Sequence, residues 1–124
     1  MIYWYKKVMT QYFDFKGRAR RKEYWYYSLC VFLMLFPTFI IAITLSTENY
    51  FLLIVAIVLG LFHIIPNIAV SVRRLHDQNI SGWVYLVSLI PYVGGIIVLV
   101  LMCLEGTKGE NKYGEDPKEL ENNT

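Results

Sequence analysis

The sequence predicts an all-α integral membrane protein with three transmembrane helices and an N-terminal amphipathic helix in the membrane interface. Hydrophobic residues make up 56% of the 124 residues and charged residues only 18%, against about 45–50% and about 25% in a soluble domain. From 24 to 104 formal charges occur at only four positions, Glu48, Arg73, Arg74 and Asp77. We therefore expect a single membrane domain, 1–124.

Three apolar runs, at 28–45, 50–72 and 83–104, supply the predicted spans. Each is long enough to cross a bilayer core of about 30 Å, which needs about 20 helical residues. The short connection between the first two runs predicts an antiparallel helical hairpin. Ser81 is suited to cap the third helix, and Trp83 is suited to the headgroup region.

The third run is open to two interpretations at 90–95, which contains Pro91, Gly94 and Gly95. These residues either kink one span or break the run into a re-entrant hairpin. The pieces on either side are too short to cross separately. We therefore favour one kinked span.

Lys and Arg residues predict the orientation, because positively charged flanks stay in the cytoplasm. The arm 1–23 carries seven of them, the first hairpin loop none, and the loop 73–82 two. We expect the N-terminus and the loop 73–82 to be cytoplasmic. Three crossings would then place the polar tail 105–124, which is rich in turn-forming residues and predicted to be a solvated loop, on the opposite side.

The N-terminal arm has an apolar stripe at spacings of three and four, formed by Ile2, Tyr5, Met9 and Tyr12. This pattern predicts a short interfacial helix with its aromatic face toward lipid.

Polar residues at membrane depth form a second candidate site, because His63, Asn67 and Ser71 share one face of the second predicted span. Ionisable groups in a membrane usually face the bundle interior, which makes His63 a functional candidate. The alternative is packing, with a neutral His63 bonded to a backbone carbonyl such as one released by Pro66.

The loop after the second span is the strongest candidate for binding, because basic groups surround a single carboxylate there. Asp77 is close enough in sequence to hold either Arg73 or Arg74, which would leave one guanidinium free for a lipid phosphate. The candidate anionic-lipid or partner site contains Arg18, Arg20, Arg21, Arg73, Arg74, His76 and Asp77. The alternative is structural: the cations end a helix favourably and Asn79 makes the turn.

Other classes of function have less support. His63 and His76 are the only histidines and are too far apart to form a two-histidine metal site on one helical turn. Cys30 and Cys103 are expected at opposite ends of their spans, and so unpaired. A net charge of +2 without a basic, aromatic surface does not suggest nucleic acid. We expect no cofactor, no metal and no enzymatic activity.

Four separated motifs resemble one known family. These are Phe15-Lys16-Gly17-Arg18-Ala19-Arg20-Arg21-Lys22-Glu23-Tyr24-Trp25, then Arg73-Arg74-Leu75-His76-Asp77 with Ser81-Gly82-Trp83, then Ile90-Pro91 with Gly94, and finally Gly106-Thr107-Lys108-Gly109-Glu110-Asn111-Lys112-Tyr113-Gly114 with Asp116-Pro117. Together they resemble the family catalogued as domain of unknown function 805, the YhaH-like small bacterial inner-membrane proteins. The resemblance implies a multi-pass protein of the bacterial cytoplasmic membrane. The family has no established activity, so it implies no catalytic residue.

The leading hypothesis is a non-enzymatic membrane protein that binds anionic lipid or a membrane partner through its basic cytoplasmic loop. A second hypothesis is an oligomeric transporter or channel subunit with a polar path at His63 and Asn67. A third is a lipid-headgroup enzyme with His76 and Asp77 as acid and base.

Overall fold

The computed structural model describes residues 1–122, so the last two residues of the predicted tail lie outside the described part. The described chain is helical, with one isolated β-bridge between Asn111 and Gly114. The α-helices are α1 (Ile2–Thr10), α2 (Arg21–Leu45), α3 (Phe51–Phe62), α4 (Ile64–Asp77), α5 (Gly94–Cys103) and α6 (Pro117–Asn122), and a 3₁₀ helix covers Gly82–Leu89.

Two helical segments are long and apolar enough to cross a membrane, Arg21–Leu45 and Phe51–Asp77. The first contains 25 residues and is about 37 Å long at the α-helical rise. Large apolar side chains along both segments are exposed, such as Phe32 and Ile54, each at 57%. An exposed apolar surface of this extent suits a lipid environment rather than water.

The second segment is interrupted once, at His63, where α3 ends and α4 begins. The His63 backbone N–H bonds to the Gly60 carbonyl in a tightened turn. Pro66 follows three residues later and has no N–H to donate to the carbonyl of Phe62, four residues before it. The break therefore has a local cause in the sequence.

The third apolar run folds into a hairpin, so the prediction of one kinked span is wrong. The 3₁₀ helix and α5 pack against each other, and their lengths of about 16 Å and about 15 Å reach only about half-way through a bilayer core. A Cβ on Gly94 would lie 2.1 Å from the Val87 carbonyl oxygen, so this glycine allows the two arms to approach closely. The third run starts and ends beside α4. It therefore has the form of the re-entrant hairpin, the alternative that the sequence left open.

The tail consequently returns to the end of α4, and its predicted placement across the membrane is also wrong. The Thr107 backbone N–H donates to the Asp77 carbonyl at 2.6 Å. The tail is not simply a solvated loop, because Asp116 is buried and accepts from the backbone N–H groups of Gly109 and Lys118. Asp116 thereby caps α6, which has Pro117 at its first position.

The turn after α4 forms as predicted at Asn79. Asn79 adopts a φ of 61°, its N–H bonds to the His76 carbonyl, and the N–H of Ile80 bonds to the Leu75 carbonyl. This pair of bonds is the Schellman arrangement, in which asparagine tolerates the left-handed conformation.

The N-terminal helix α1 forms, but its stripe faces protein rather than lipid. Tyr5 and Met9 pack against the buried core, and the Tyr12 hydroxyl donates to the Phe62 carbonyl at 2.7 Å. Of the stripe only Ile2 is largely exposed, at 67%. The expectation of a lipid-facing aromatic stripe is therefore wrong, because the break in the second segment provides α1 with polar partners.

Candidate functional site

Among the described residues, five buried charged side chains form one cluster of ion pairs between the arm, the start of α2 and the end of α4. We call them the ion-pair clasp: Arg18, Glu23, Arg73, Arg74 and Asp77. Arg73 and Arg74 have no exposed surface, and Arg18, counted with its backbone, retains only 9%. Burying a charge is costly unless it is paired, so the partners decide what the clasp can do.

Asp77 holds two guanidinium groups at once. Arg18 Nη2 lies 2.9 Å from its Oδ1, and Arg74 Nη1 lies 2.8 Å from its Oδ2. The sequence predicted an Asp77 partner on its own helix, which is Arg74. It did not identify Arg18 as the second partner.

Arg73 points to a different carboxylate, on α2. Its Nη1 lies 2.6 Å from Glu23 Oε1 and also donates to Gln11 Oε1 at 2.6 Å. Lys7 Nζ lies 3.4 Å from the other oxygen of Glu23. The prediction that one of the two loop arginines stays free is therefore wrong, since both are held inside the protein.

Arg18 also binds the folded tail. It donates to the carbonyls of Thr107 at 2.6 Å, Gly109 at 2.7 Å and Gly114 at 3.2 Å. A Cβ on Gly106 would lie 1.9 Å from Asp77 Oδ2, so only glycine fits where the tail crosses the carboxylate. The clasp thus joins the arm, α4 and the tail.

The C-terminal end of α5 is capped by side chains from α4 and α2. The last carbonyls of a helix have no partner within it. Here Leu101 accepts from Gln78, Met102 and Leu104 accept from Arg74, and Cys103 accepts from Arg21. Cations also favour a helix C-terminus electrostatically, which is the physical reason that α5 ends beside α4.

His76 and Asp77 are adjacent in sequence but serve different partners. His76 Nδ1 lies 3.0 Å from the Gly17 carbonyl, and its ring stacks on Tyr113 with centroids 3.8 Å apart. Because the Asp77 carboxylate is occupied by two guanidinium groups, the pair is not arranged as an acid and a base sharing one reactant.

We call the run of Lys and Arg residues at 16–22 the basic collar; outside the clasp, its side chains are exposed or partly exposed. Arg21 is half-exposed and forms a surface ion pair with Glu105 at 3.2 Å, while Lys22 is exposed. Arg20 is half-buried, with its guanidinium 5.9 Å from the Trp4 ring centroid. A groove of about 530 Å³ runs beside them, lined by Arg21, Lys22, Trp25, Tyr26, Leu29 and Cys103.

Two of the three residues of the predicted intramembrane face, His63 and Asn67, line one groove. This groove has a volume of about 430 Å³ and lies between α2 and the second segment. Asn67 is exposed there. Ser71 is buried instead, and its hydroxyl donates to the Asn67 carbonyl at 2.7 Å.

His63 has a partner on each ring nitrogen. Nδ1 lies 2.8 Å from the Leu59 carbonyl, and Nε2 lies 2.8 Å from the Tyr5 hydroxyl. A carbonyl only accepts, so Nδ1 carries the proton and Nε2 accepts from Tyr5. Burial raises the pKa of Tyr5, with a smaller contribution from Cys30.

Residues 1–122 contain no group of three His, Cys, Asp or Glu side chains placed to hold a metal ion. Cys30 and Cys103 are both free thiols. They were expected at opposite ends, but Cys103 lies beside Arg21, at the same end of α2 as the clasp.

Sequence reasoning did not identify Glu23 as a member of the clasp, or Gln11 and Gly106 as residues that contact it. A local pattern did point to Glu23. It is an acidic residue in the first turn of α2, directly after the run of Lys and Arg residues at 16–22. The roles of Gln11 and Gly106 depend on contacts across the fold, and no local pattern indicates them.

Comparison with known proteins places the chain in a family. The model of the family described as "Protein of unknown function (DUF805)" matches residues 12–115, which include every residue of the clasp. The chain is similar to Inner membrane protein YhaH of Escherichia coli, with 40% identity over 116 residues that cover 93% of this chain and 96% of the relative. It is also similar to Inner membrane protein YhaI of the same organism, with 39% identity over 115 residues, 93% of this chain and 95% of the relative.

A more distant relative is Uncharacterized protein YiiR of Escherichia coli, at 29% identity in an alignment that covers 87% of this chain and 88% of the relative. No solved structure matches the chain. The family match and the two inner-membrane relatives confirm the resemblance seen in the sequence, so this membrane protein belongs to the family of unknown function DUF805.

Proposed function

We propose that this protein is a non-enzymatic protein of the bacterial inner membrane that binds anionic phospholipid in the groove beside Arg21 and Lys22. The two relatives are named inner membrane proteins. This site replaces the one expected at Arg73 and Arg74, whose guanidinium groups are buried in the clasp. The clasp keeps the collar in position, and the groove on its outer face receives the lipid.

The observation that supports this proposal is the order of charged, aromatic and apolar side chains along the start of α2. Arg21 and Lys22 offer positive charge at the water end, Trp25 and Tyr26 follow at headgroup level, and Leu29 continues into the apolar span. Tryptophan and tyrosine favour the interface, and the anionic leaflet attracts each nearby cation by about 1 kcal/mol. One groove therefore provides a partner for each part of a phospholipid.

The Arg21–Glu105 pair does not block this role. Its side chains are 41% and 64% exposed, and an ion pair so open to solvent contributes little. A phosphate can replace the carboxylate, because a guanidinium holds phosphate oxygens in the same two-point geometry.

We infer the orientation of the protein in the membrane from the distribution of its Lys and Arg residues. All 12 Lys and Arg residues lie in the arm, near the C-terminal end of α4 or in the tail, whereas the loop between α2 and α3 has only Glu48 as a charged residue. This asymmetry supports a cytoplasmic location for the N-terminus, the loop and the tail. The groove then faces the inner leaflet.

Native mass spectrometry in mixed-lipid micelles tests the proposal by counting retained anionic lipids. We expect Arg21→Ala with Lys22→Ala to retain several-fold fewer than the parent, and Arg21→Lys to retain an intermediate number because it keeps charge but loses the planar fork. Lys16→Ala with Lys108→Ala is the matched control, since both side chains are exposed and neither lines the groove. Equal retention by both double variants would reject the groove as the site.

An oligomeric transporter or channel is the second candidate, supported by the exposed Asn67 next to His63 in one intramembrane groove. A polar amide exposed in an apolar span favours hydrogen bonding to a second copy. Reconstituted parent protein would then conduct an ion or solute in liposomes, and His63→Leu would abolish the flux. Absence of flux in the parent would reject this function.

A further inference from the structure

We propose that a second pocket, at the start of the re-entrant hairpin, binds an uncharged lipid alcohol whose hydroxyl donates to His76 Nε2. The pocket has a volume of about 520 Å³, within the usual range for small-molecule sites. It lies apart from the collar groove and shares no lining residue with it. The proposal therefore does not depend on phospholipid binding at the collar.

The buried polar side chain in the wall of the pocket is His76, which is only 7% exposed. Its Nδ1–H donates to the Gly17 carbonyl, so in the neutral imidazole Nε2 is the accepting nitrogen. Nε2 makes no hydrogen bond to any other described residue. This nitrogen is open to the pocket, where it can accept a hydrogen bond from the hydroxyl of an occupant.

A glycine keeps the space before this nitrogen open. A Cβ built on Gly82 would lie 3.4 Å from His76 Nε2 and 2.6 Å from Val72 Cγ1. Any side chain here would therefore crowd the wall of the pocket. The ring of Tyr113, stacked on His76 at an angle of 2°, fixes the orientation of the imidazole.

The remaining lining defines the rest of the ligand. Besides His76, the wall contains no Lys, Arg, Asp or Glu, which argues against a phosphate or carboxylate headgroup. Ile68 and Val72 of α4 and Leu86 of the 3₁₀ helix provide an apolar wall that leads from the polar end along the hairpin. An alkyl chain fits this wall. The accepting nitrogen, the lack of charged Lys, Arg, Asp and Glu side chains and the apolar wall together describe a lipid alcohol.

The experiment uses the full chain in phosphatidylcholine nanodiscs and a diazirine-bearing hexadecanol as the photolabel. We expect label on 82–89 or on Tyr113. Unlabelled hexadecanol should compete about five-fold better than hexadecyl methyl ether, which has the same chain but no donor, as expected for one hydrogen bond. Equal competition would show that any alkyl chain fills the pocket and would overturn the proposal.

Two variants of the same helix provide an independent check. Leu86→Trp fills the pocket and should lower labelling about ten-fold, whereas Leu89→Trp adds the same bulk at a side chain that is 77% exposed and outside the lining. Labelling should be unchanged in Leu89→Trp. A similar loss in both variants, or no loss in either, would contradict the assignment.

Discussion

Arg18 and Asp77 are 59 residues apart in the sequence, yet Nη2 of Arg18 lies 2.9 Å from Oδ1 of Asp77 with both side chains 2% exposed. The contact joins the arm to the end of the second membrane segment. Because Arg18 also binds three tail carbonyls, one guanidinium holds together parts of the chain that the sequence predicted on opposite sides of the membrane.

Asp77→Asn should destabilise the protein by about 3–5 kcal/mol, because it leaves two buried guanidinium groups without their anion. Unfolding by denaturant in detergent micelles measures the change. Glu105→Gln is the control, since it removes a solvent-exposed ion pair and should cost less than about 1 kcal/mol. Similar losses in the two variants would show that the clasp does not stabilise the fold.

Gly106→Ala should release the tail from the clasp, because the added Cβ would lie 1.9 Å from Asp77 Oδ2. Trypsin in detergent should then cleave faster after Lys108 and Lys112 than in the parent. Gly95→Ala is the matched control, since a Cβ there meets no atom within 4 Å. Unchanged cleavage in Gly106→Ala would contradict the packed position of the tail.

Tyr5→Phe and His63→Leu should each cost only about 0.6 kcal/mol, the average for a hydrogen bond between membrane helices. Their effects should not add, because both remove the 2.8 Å contact between the Tyr5 hydroxyl and His63 Nε2. A double-mutant cycle on unfolding free energy tests this. Additive effects would mean that the two side chains act independently.

Much of the architecture could be predicted from residues that act locally. The two long apolar runs indicate the helices α2, α3 and α4, and Asn79 indicates the turn that follows them. Pro66, three residues after His63, marked the position where a backbone carbonyl would be released. These signals depend on composition or on neighbours in sequence, so they need no knowledge of the fold.

The third apolar run could not be resolved in this way. Its length and composition fit one span as well as a hairpin, and the difference depends on which side chains meet the last carbonyls of α5. Arg74 donates to two of those carbonyls, a contact made across 28 and 30 residues of sequence. In the same way, the sequence does not distinguish a buried cation such as Arg73 from an exposed cation such as Lys22.

Cysteine accessibility in intact spheroplasts tests the return of the tail most directly. Single cysteines at Lys6, Glu48 and Lys108, all exposed positions, would be placed in a background with Cys30→Ala and Cys103→Ala and treated with an impermeant thiol reagent. We expect Glu48→Cys to react at once, and Lys6→Cys and Lys108→Cys to react only after permeabilisation. Reaction of Lys108→Cys together with Glu48→Cys, while Lys6→Cys stays protected, would contradict the re-entrant hairpin.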